Sequence, residues 1–255
     1  TELFRYLPEN GAVALRARDR NLIAPFLPEC AAKVVWCGDE TEEAEAKSYN
    51  TVLAQDGVSF EYGEGDKRFF VRLPFAGRHF VDNVLLVTAI ACALDIPQED
   101  IQNGLGHAVS LSSSRMEMHE MAGNRLLIND CYNANPDSMM ATVDVLAGYK
   151  PRPTIACLGN MYELGQYEKE GHAKVGRHLT EKNIDLLICL GTLAEIIGTS
   201  AIASGMDHEK VFYVDTTKQV SILLKEFAQE DAVILVKGSN SMKMTEVYNY
   251  LSREA

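Results

Sequence analysis

Five short apolar runs in the second half of the chain constrain its fold more than any other feature of the sequence. They are residues 126–128, 154–158, 186–190, 211–214 and 233–236, and each ends at or beside Asp or Gly. Short apolar runs without polar alternation are typical of parallel strands covered on both faces. Segments with helical spacing separate them, as at Met139, Val143 and Leu146. The sequence therefore predicts an α/β fold with a doubly wound, mostly parallel sheet and flanking helices.

The first half of the chain has a different pattern. Its predicted elements are strands at 11–16, 33–36, 59–62 and 68–73, a short helix near 21–27, and helices at about 80–94 and after Pro97. The segment Gly63-Glu64-Gly65-Asp66 indicates a hairpin between the last two strands. Leu111 and the three serines that follow it resemble a hinge. We therefore expect two domains, 1–111 and 112–255.

Charge and composition argue against several classes of function. The net charge of −12 disfavours a nucleic-acid partner, because phosphate polymers require a basic face. No apolar run approaches the roughly 18 residues of a membrane span, and no signal peptide opens the chain. The six cysteines are scattered without a C-x-x-C pair, so we expect structural thiols in a reducing, cytoplasmic compartment. Thr1 stands where an initiator Met is expected, which indicates a chain that begins inside a larger protein.

Residues 129–139 carry the strongest indication of a binding site. Asp130 follows an apolar run, Asn133 and Asn135 come next, and Pro136 is suited to open a helix. A strand that delivers an acid and two amides to a helix N-terminus suits a polar or phosphorylated small molecule.

The predicted sheet brings further polar residues to the same edge. Ligands of doubly wound sheets gather at the carboxyl ends of the strands, so we expect Asp130, Gly159 and Lys237 to cluster there. The phosphate-loop pattern G-x-x-x-x-G-K-[ST] does not occur in the 255 residues. The sequence thus predicts a small-molecule site without a phosphate loop of its own.

Four motifs follow one another along the chain. They are Gly77-Arg78-His79-Phe80-Val81-Asp82-Asn83, residues 130–139, residues 158–165, and Val236-Lys237-Gly238-Ser239 with Met242 and Met244. They resemble G-x-H-N-x-x-N, D-x-Y-N-A-N-P-D-S-M, L-G-D-M-x-E-L-G and V-K-G-S-x-x-M-x-M of the Mur ligases. The resemblance covers about residues 70–250 and is strongest to the branch that adds D-alanyl-D-alanine. Two positions depart from these motifs, since Phe80 replaces an Asn and Asn160 replaces an Asp.

The resemblance implies a fragment of a larger ligase. A Mur ligase has an N-terminal UDP-sugar domain, a central ATP-binding domain that carries the phosphate loop, and a C-terminal amino-acid-binding domain. Residues 1–111 would be the C-terminal part of the central domain, a partial α/β ATPase domain. Residues 112–255 would be the complete C-terminal domain.

The resemblance also implies a nucleotide-binding role for five residues, which are Asn83, Arg115, Asp130, Tyr132 and Asn133. Asn83 would meet the adenine edge, Arg115 would grip phosphate oxygens, and Asp130 would accept hydrogen bonds from ribose hydroxyls. The residue types alone leave alternatives open. Asn83 is compatible with a helix cap, Arg115 with a solvated surface side chain, and Asp130 with a turn acid.

A second set of residues is implied to bind the substrate, namely Asn135, Lys237, Gly238 and Ser239. Lysine and serine suit a carboxylate, and glycine permits close backbone approach. The alternatives are a helix cap at Asn135 and an ordinary strand-to-helix turn at 237–239. His172 has helical spacing with apolar neighbours, which favours packing or capping, and His79 leaves a structural role open.

The implied activity of the parent enzyme is ATP-dependent amide-bond formation in peptidoglycan precursor synthesis. It would join D-alanyl-D-alanine to a UDP-N-acetylmuramoyl tripeptide. No His/Cys/Asp cluster has metal-site spacing, so Mg²⁺ would be held mainly by ATP and by the missing segment. We expect no catalytic residue in this chain and no activity from it alone, because nothing cradles the β- and γ-phosphates. The alternatives are another Mur ligase, a folylpolyglutamate synthase-like ligase, or a non-catalytic ligand-binding α/β module.

Overall fold

The computed structural model describes residues 2–55, 57–107 and 115–252. The chain divides into two compact units, Thr1–Val109 and Ser110–Ala255. The hinge predicted at 111–114 lies outside the described residues. Within the part of the chain that the structure describes, no helix is long and apolar enough to cross a membrane.

The first unit is built on a five-stranded sheet. Its strands are β1 (Ala12–Arg16), β2 (Lys33–Asp39), β3 (Ala46–Ala54), β4 (Gly57–Glu64) and β5 (Lys67–Leu73), and they lie side by side in chain order. The pairs β1–β2 and β2–β3 are parallel, whereas β3–β4 and β4–β5 are antiparallel. The helices are α1 (Glu2–Arg5), α2 (Arg20–Ile23), α3 (Arg78–Ala93) and α4 (Gln98–Gly106), and a 3₁₀ segment spans Ala24–Glu29.

The predicted hairpin is confirmed, and one further strand lies beside it. Gly65 adopts a φ of +56° in the turn, and Glu64 pairs with Lys67 across it. The sequence pattern does not predict β3, because its alternation is interrupted. Asn50 has a φ of +50°, and the register shifts between Tyr49 and Val52, as in a β-bulge.

The core of the first unit forms where α3 covers one face of the sheet. Val81, Leu85 and Ala89 of α3 pack in one buried cluster with Phe60 and Val71 of the sheet. These α3 residues recur at intervals of four, so one helical stripe supplies the contact.

The second unit contains the doubly wound sheet that the sequence predicts. Its strands are β6 (Glu117–Met121), β7 (Arg125–Asp130), β8 (Thr154–Gly159), β9 (Leu186–Leu190), β10 (Val211–Val214) and β11 (Val233–Lys237). Their spatial order is β10-β9-β8-β11-β7-β6. All neighbours pair in parallel except β6, which is antiparallel to β7. The five apolar runs are thus confirmed as β7 to β11, and β6 is an additional edge strand of mixed polarity.

In the part of the second unit that the structure describes, five helices flank this sheet. They are α5 (Pro136–Ala147), α6 (Glu168–Glu181), α7 (Ala194–Ala203), α8 (Thr217–Phe227) and α9 (Thr245–Ser252). The predicted apolar face of α5 is fully buried at Met139, Val143 and Leu146. α5, α6 and α7 pack in succession, and α8 packs against α9. Right-handed crossovers that run in opposite directions put these two groups on opposite faces of the sheet.

Candidate functional site

Three strands end side by side at one edge of the second sheet. From β7 the chain crosses to β8 and moves outward to β10, and β11 then returns to lie between β8 and β7. Lys237 is in register with Asp130 on one side and with Leu158, next to Gly159, on the other. The predicted clustering of Asp130, Gly159 and Lys237 is confirmed, at the kind of topological switch point where such sheets bind ligands.

Lys237 and Asp130 form a buried ion pair at this edge. Lys237 Nζ lies 2.5 Å from Asp130 Oδ2, and the two side chains are 2% and 14% exposed. The same ammonium donates to the carbonyl oxygen of Asn133 at 2.9 Å and approaches that of Asp130 at 3.5 Å. Lys237 therefore ties the end of β11 to the segment that follows β7.

Two further groups orient the Asp130 carboxylate. Thr142 Oγ1 of α5 lies 2.9 Å from Oδ2 and also 2.7 Å from the carbonyl oxygen of Ser138. The backbone amide of Met116 donates to Oδ1 at 3.3 Å. One lone pair of Oδ1 has no partner within the described ranges, and the carboxylate is partly open to solvent. The carboxylate can accept one hydrogen bond from a ligand.

Arg115 and Tyr132 lie together on the surface of this unit. The Arg115 guanidinium carbon sits 4.0 Å from the centroid of the Tyr132 ring. Both residues are exposed, and Tyr132 retains 44% of its surface. A guanidinium over a ring is a cation–π contact that leaves its N–H donors available to an anion. No carboxylate pairs with Arg115 among the residues that the structure describes.

The segment between Asn133 and α5 is fixed by local hydrogen bonds. The Asn133 side chain accepts from the amide of Ala134 at 2.8 Å. The Asn135 side chain accepts from the amide of Ser138 at 2.8 Å, and Ser138 Oγ accepts in return from the Asn135 amide. This capping box, with Pro136 at the first helical position, confirms Asn135 as the N-cap of α5. Ligand roles for the two asparagines remain predictions.

Gly238 and Ser239 are buried where β11 approaches β8. A Cβ on Gly238 would lie 3.1 Å from Gly159 Cα and 2.9 Å from Met244 Cγ, so the backbones meet closely. Ser239 Oγ accepts from the amide of Tyr162 at 3.0 Å. These contacts support the turn interpretation, and binding of substrate by residues 237–239 remains a prediction.

Asn160, one of the two departures from the family motifs, caps a neighbouring helix. Its Oδ1 accepts from the amide of Ala194 at the start of α7, at 2.9 Å. Its Nδ2 donates to the Tyr162 hydroxyl at 2.9 Å, and that hydroxyl lies 3.2 Å from Met242 Sδ. Sequence reasoning missed Thr142 and Ala194 as partners at this edge, because both are distant in sequence from the groups they contact.

His172 has the structural role that its spacing favours. It is fully buried; its Nδ1 lies 2.7 Å from the carbonyl oxygen of Glu168, and its Nε2 accepts from the amide of Met161 at 3.0 Å. Nε2 accepts only in the neutral ring, so Nδ1 carries the proton. Burial lowers the pKa of His172.

In the first unit, Asn83 is exposed on α3 and follows Asp82, which lines a small pocket. Arg16, Arg18, Gly38 and Asp82 line part of the pocket, at the ends of β1 and β2. Arg18 Nη2 lies 2.6 Å from Asp82 Oδ2. Adenine contact by Asn83 remains a prediction.

The other departure, Phe80, has an apolar environment at the start of α3. Its ring stacks on Phe75 with centroids 5.2 Å apart and also contacts His79 at 4.3 Å. The side chain packs against the core of the first unit. An Asn at this position would lose these apolar contacts.

The cysteines are free thiols, as the sequence predicts. Five are buried and Cys30 is half-buried. Cys131 Sγ lies 3.3 Å from the carbonyl oxygen of Val236, and burial raises its pKa to about 12. No group of three His, Cys, Asp or Glu side chains in the described part of the chain could hold a metal ion.

Comparisons with known proteins agree with this geometry. The family described as "Mur ligase, glutamate ligase domain" matches residues 114–240. The UDP-N-acetylmuramoyl-tripeptide–D-alanyl-D-alanine ligase of Haemophilus influenzae is 30% identical over 251 residues, covering 96% of this chain and 52% of the relative. A crystal structure of MurF from Acinetobacter baumannii is 25% identical with a TM-score of 0.81, covering 99% of this chain and 54% of that one.

A further solved structure, MurF ligase from Thermotoga maritima in complex with ADP, shares the fold. Its TM-score is 0.78 at 19% identity, covering 99% of this chain and 56% of that one. The chain thus spans about half the length of the relatives it matches. The chain belongs to the Mur ligase family, which confirms the resemblance seen in its motifs.

Proposed function

We propose that this chain is part of an ATP-dependent ligase that joins D-alanyl-D-alanine to a UDP-N-acetylmuramoyl tripeptide. The similarity to the UDP-N-acetylmuramoyl-tripeptide–D-alanyl-D-alanine ligase of Haemophilus influenzae supports this assignment. The observation that carries it is the segment after β7. There Asp130 Oδ1, the Tyr132 ring and the Arg115 guanidinium offer an acceptor, a flat surface and a donor fork.

These groups fit a nucleotide in chemical terms. A ribose hydroxyl can donate to Asp130 Oδ1, and a guanidinium can donate to phosphate oxygens. The ADP complex of the Thermotoga maritima protein supports this choice of ligand. The described residues do not fit a metal ion in the same way, so Mg²⁺ would enter with the nucleotide.

The proposed reaction forms an amide through an acyl phosphate. ATP supplies the phosphoryl group that activates the terminal carboxylate of the tripeptide. The free amine of D-alanyl-D-alanine attacks the activated carbonyl, and the tetrahedral intermediate collapses with release of phosphate. Because an acyl phosphate hydrolyses readily, water must be excluded while the amine is brought to it. In this proposal residues 112–255 present the dipeptide and contact the nucleotide.

The 255-residue chain alone should not turn over substrate, because its sequence contains no phosphate loop. The test is ADP release from ATP, UDP-N-acetylmuramoyl tripeptide and D-alanyl-D-alanine. A chimera that joins the unmatched N-terminal part of the Haemophilus influenzae ligase to this chain should release ADP. Turnover by the isolated chain would contradict the first expectation.

The chimera also discriminates between the candidate ligases. The proposal requires D-alanyl-D-alanine to support ADP release, and D130A in the chimera should abolish it. Preference for diaminopimelate or lysine would indicate another Mur ligase. A folded chimera that binds nucleotide but uses no amine would favour the non-catalytic binding module.

A further inference from the structure

We infer that Lys237 is a positioning residue, whose ammonium holds Asp130 and the turn at Asn133 so that Asp130 Oδ1 faces a ligand hydroxyl. The inference rests on the proposed function and deepens it. It assigns Lys237 a role without direct contact to substrate or nucleotide, unlike the role implied by the family motif.

The donors of Lys237 are already used within the protein. A lysine ammonium has three N–H donors. Its nitrogen lies 2.5 Å from Asp130 Oδ2, 2.9 Å from the carbonyl oxygen of Asn133 and 3.5 Å from that of Asp130. With 2% of the side chain exposed, a ligand anion would have to displace Asp130 to reach it.

The two charges depend on each other. Asp130 is the carboxylate within ion-pair distance of Lys237 in the described part of the chain. Removing one member leaves the other charge buried without its partner, whereas removing both leaves no uncompensated charge. The pair is therefore expected to behave as one unit in mutational tests.

Lys237 also determines which oxygen of Asp130 is available. It occupies Oδ2 together with the Thr142 hydroxyl, and the Met116 amide takes one position on Oδ1. Among the residues that the structure describes, the second acceptor position on Oδ1 is the one left for a ligand. The bond from Lys237 to the Asn133 carbonyl additionally fixes the turn next to Tyr132.

The test compares K237M, D130N, the D130N/K237M double variant and K218M in the full 255-residue chain. Lys218 is exposed on α8 and provides the matched lysine-to-methionine control. The ligands tested are ADP, adenosine, 2′-deoxy ADP and 3′-deoxy ADP. Their binding is measured from shifts in the amide NMR signals of residues 130–135. Thermal unfolding of the second unit is recorded for every variant.

Positioning predicts that K237M weakens ADP and adenosine alike, by roughly tenfold, the value of one charge-assisted hydrogen bond. At least one deoxy nucleotide should bind the wild type more weakly than ADP does. In K237M the same deoxy nucleotide and ADP should bind equally well, because Asp130 Oδ1 is no longer positioned to accept from the missing hydroxyl. K218M should bind as the wild type. Unchanged ADP affinity in K237M would overturn the inference, and so would weakening confined to ADP, which indicates direct contact with phosphate.

The unfolding data keep the inference testable if variants bind poorly or the wild type binds no ADP. K237M should lower the midpoint by roughly 10 °C, and the double variant should lose less than the sum of the two single variants. Additive losses would contradict the pair as one unit. If the wild type does not bind ADP but the losses in unfolding midpoint are non-additive, the proposed nucleotide site is contradicted. The positioning of Asp130 by Lys237 remains supported in that case.

Discussion

The two sheets use the carboxyl ends of parallel strands in opposite ways. In the first unit, the Arg18–Asp82 pair is partly exposed, with 51% of the arginine side chain and 26% of the aspartate side chain open to solvent. In the second unit, Lys237 is almost fully buried against Asp130. An ion pair is therefore a partly hydrated surface contact in one unit and a buried structural contact in the other, where burial removes the competing water.

The largest expected effect is at the buried Lys237–Asp130 pair. K237M should reduce the free energy of unfolding of the second unit by about 3–5 kcal/mol, because Asp130 loses its counter-charge. Urea unfolding followed by tyrosine fluorescence and circular dichroism measures the change. A loss below about 1 kcal/mol would place the pair in the surface class and remove the contrast between the two sheets.

A smaller loss of stability is expected when a methyl group is added at Gly238, where β11 approaches β8. G238A should cost roughly 1–3 kcal/mol, because the added Cβ meets Gly159 Cα and Met244 Cγ. G104A in α4 of the first unit is the matched control, since no atom lies within 4 Å of its Cβ. That control should be neutral or stabilising by up to about 1 kcal/mol. Equal losses in both variants would contradict the close approach of β11 to β8.

The cap on α7 should contribute less than the buried pair. N160A should cost about 1–2 kcal/mol, because the Ala194 amide loses its acceptor. N160D keeps the acceptor and should lose less. The measurement is urea unfolding of both variants. If N160D is the more destabilised of the two, the cost of burying a carboxylate at this position exceeds the contribution of the cap.

A further effect should emerge only on acidification. The pKa of His172 is lowered in the folded protein. Above the ordinary value of 6.5 the residue is therefore neutral in both the folded and the unfolded chain, and it adds no pH dependence to the free energy of unfolding. As pH falls through 6.5, the unfolded chain binds a proton first and stability declines. H172Q should reduce the loss of stability between pH 7.5 and pH 5.5, as measured by urea midpoints. Replacing the exposed His208 by Gln should leave that loss unchanged.

The smallest effect is expected at the partly exposed Arg18–Asp82 pair of the first unit. R18M and D82N should each change the free energy of unfolding of the first unit by about 0–1 kcal/mol, and raised salt should weaken the contact further. A double-mutant cycle measures the coupling. A coupling as large as that of Lys237 with Asp130 would mean that burial does not separate the two pairs.

Local sequence patterns predict much of this fold. The five apolar runs became strands, and the Asn135-Pro136 pair became a helix start, because strand period and capping depend on near neighbours. β3 escaped prediction because a bulge interrupts its alternation. β6 escaped because its Glu and His residues resemble a loop until β7 pairs with it.

The motifs and apolar runs were enough to predict the family, the strand ends and the residue types that meet there. The contacts that those residues make became visible only in the folded protein. Lys237 reads as a ligand-binding lysine, yet its partners are Asp130 and Asn133, which lie 107 and 104 positions away in the chain. Which acceptor a hydrogen-bond donor contacts depends on distance in space and on whether water is excluded. The spacing of residues within a motif specifies neither.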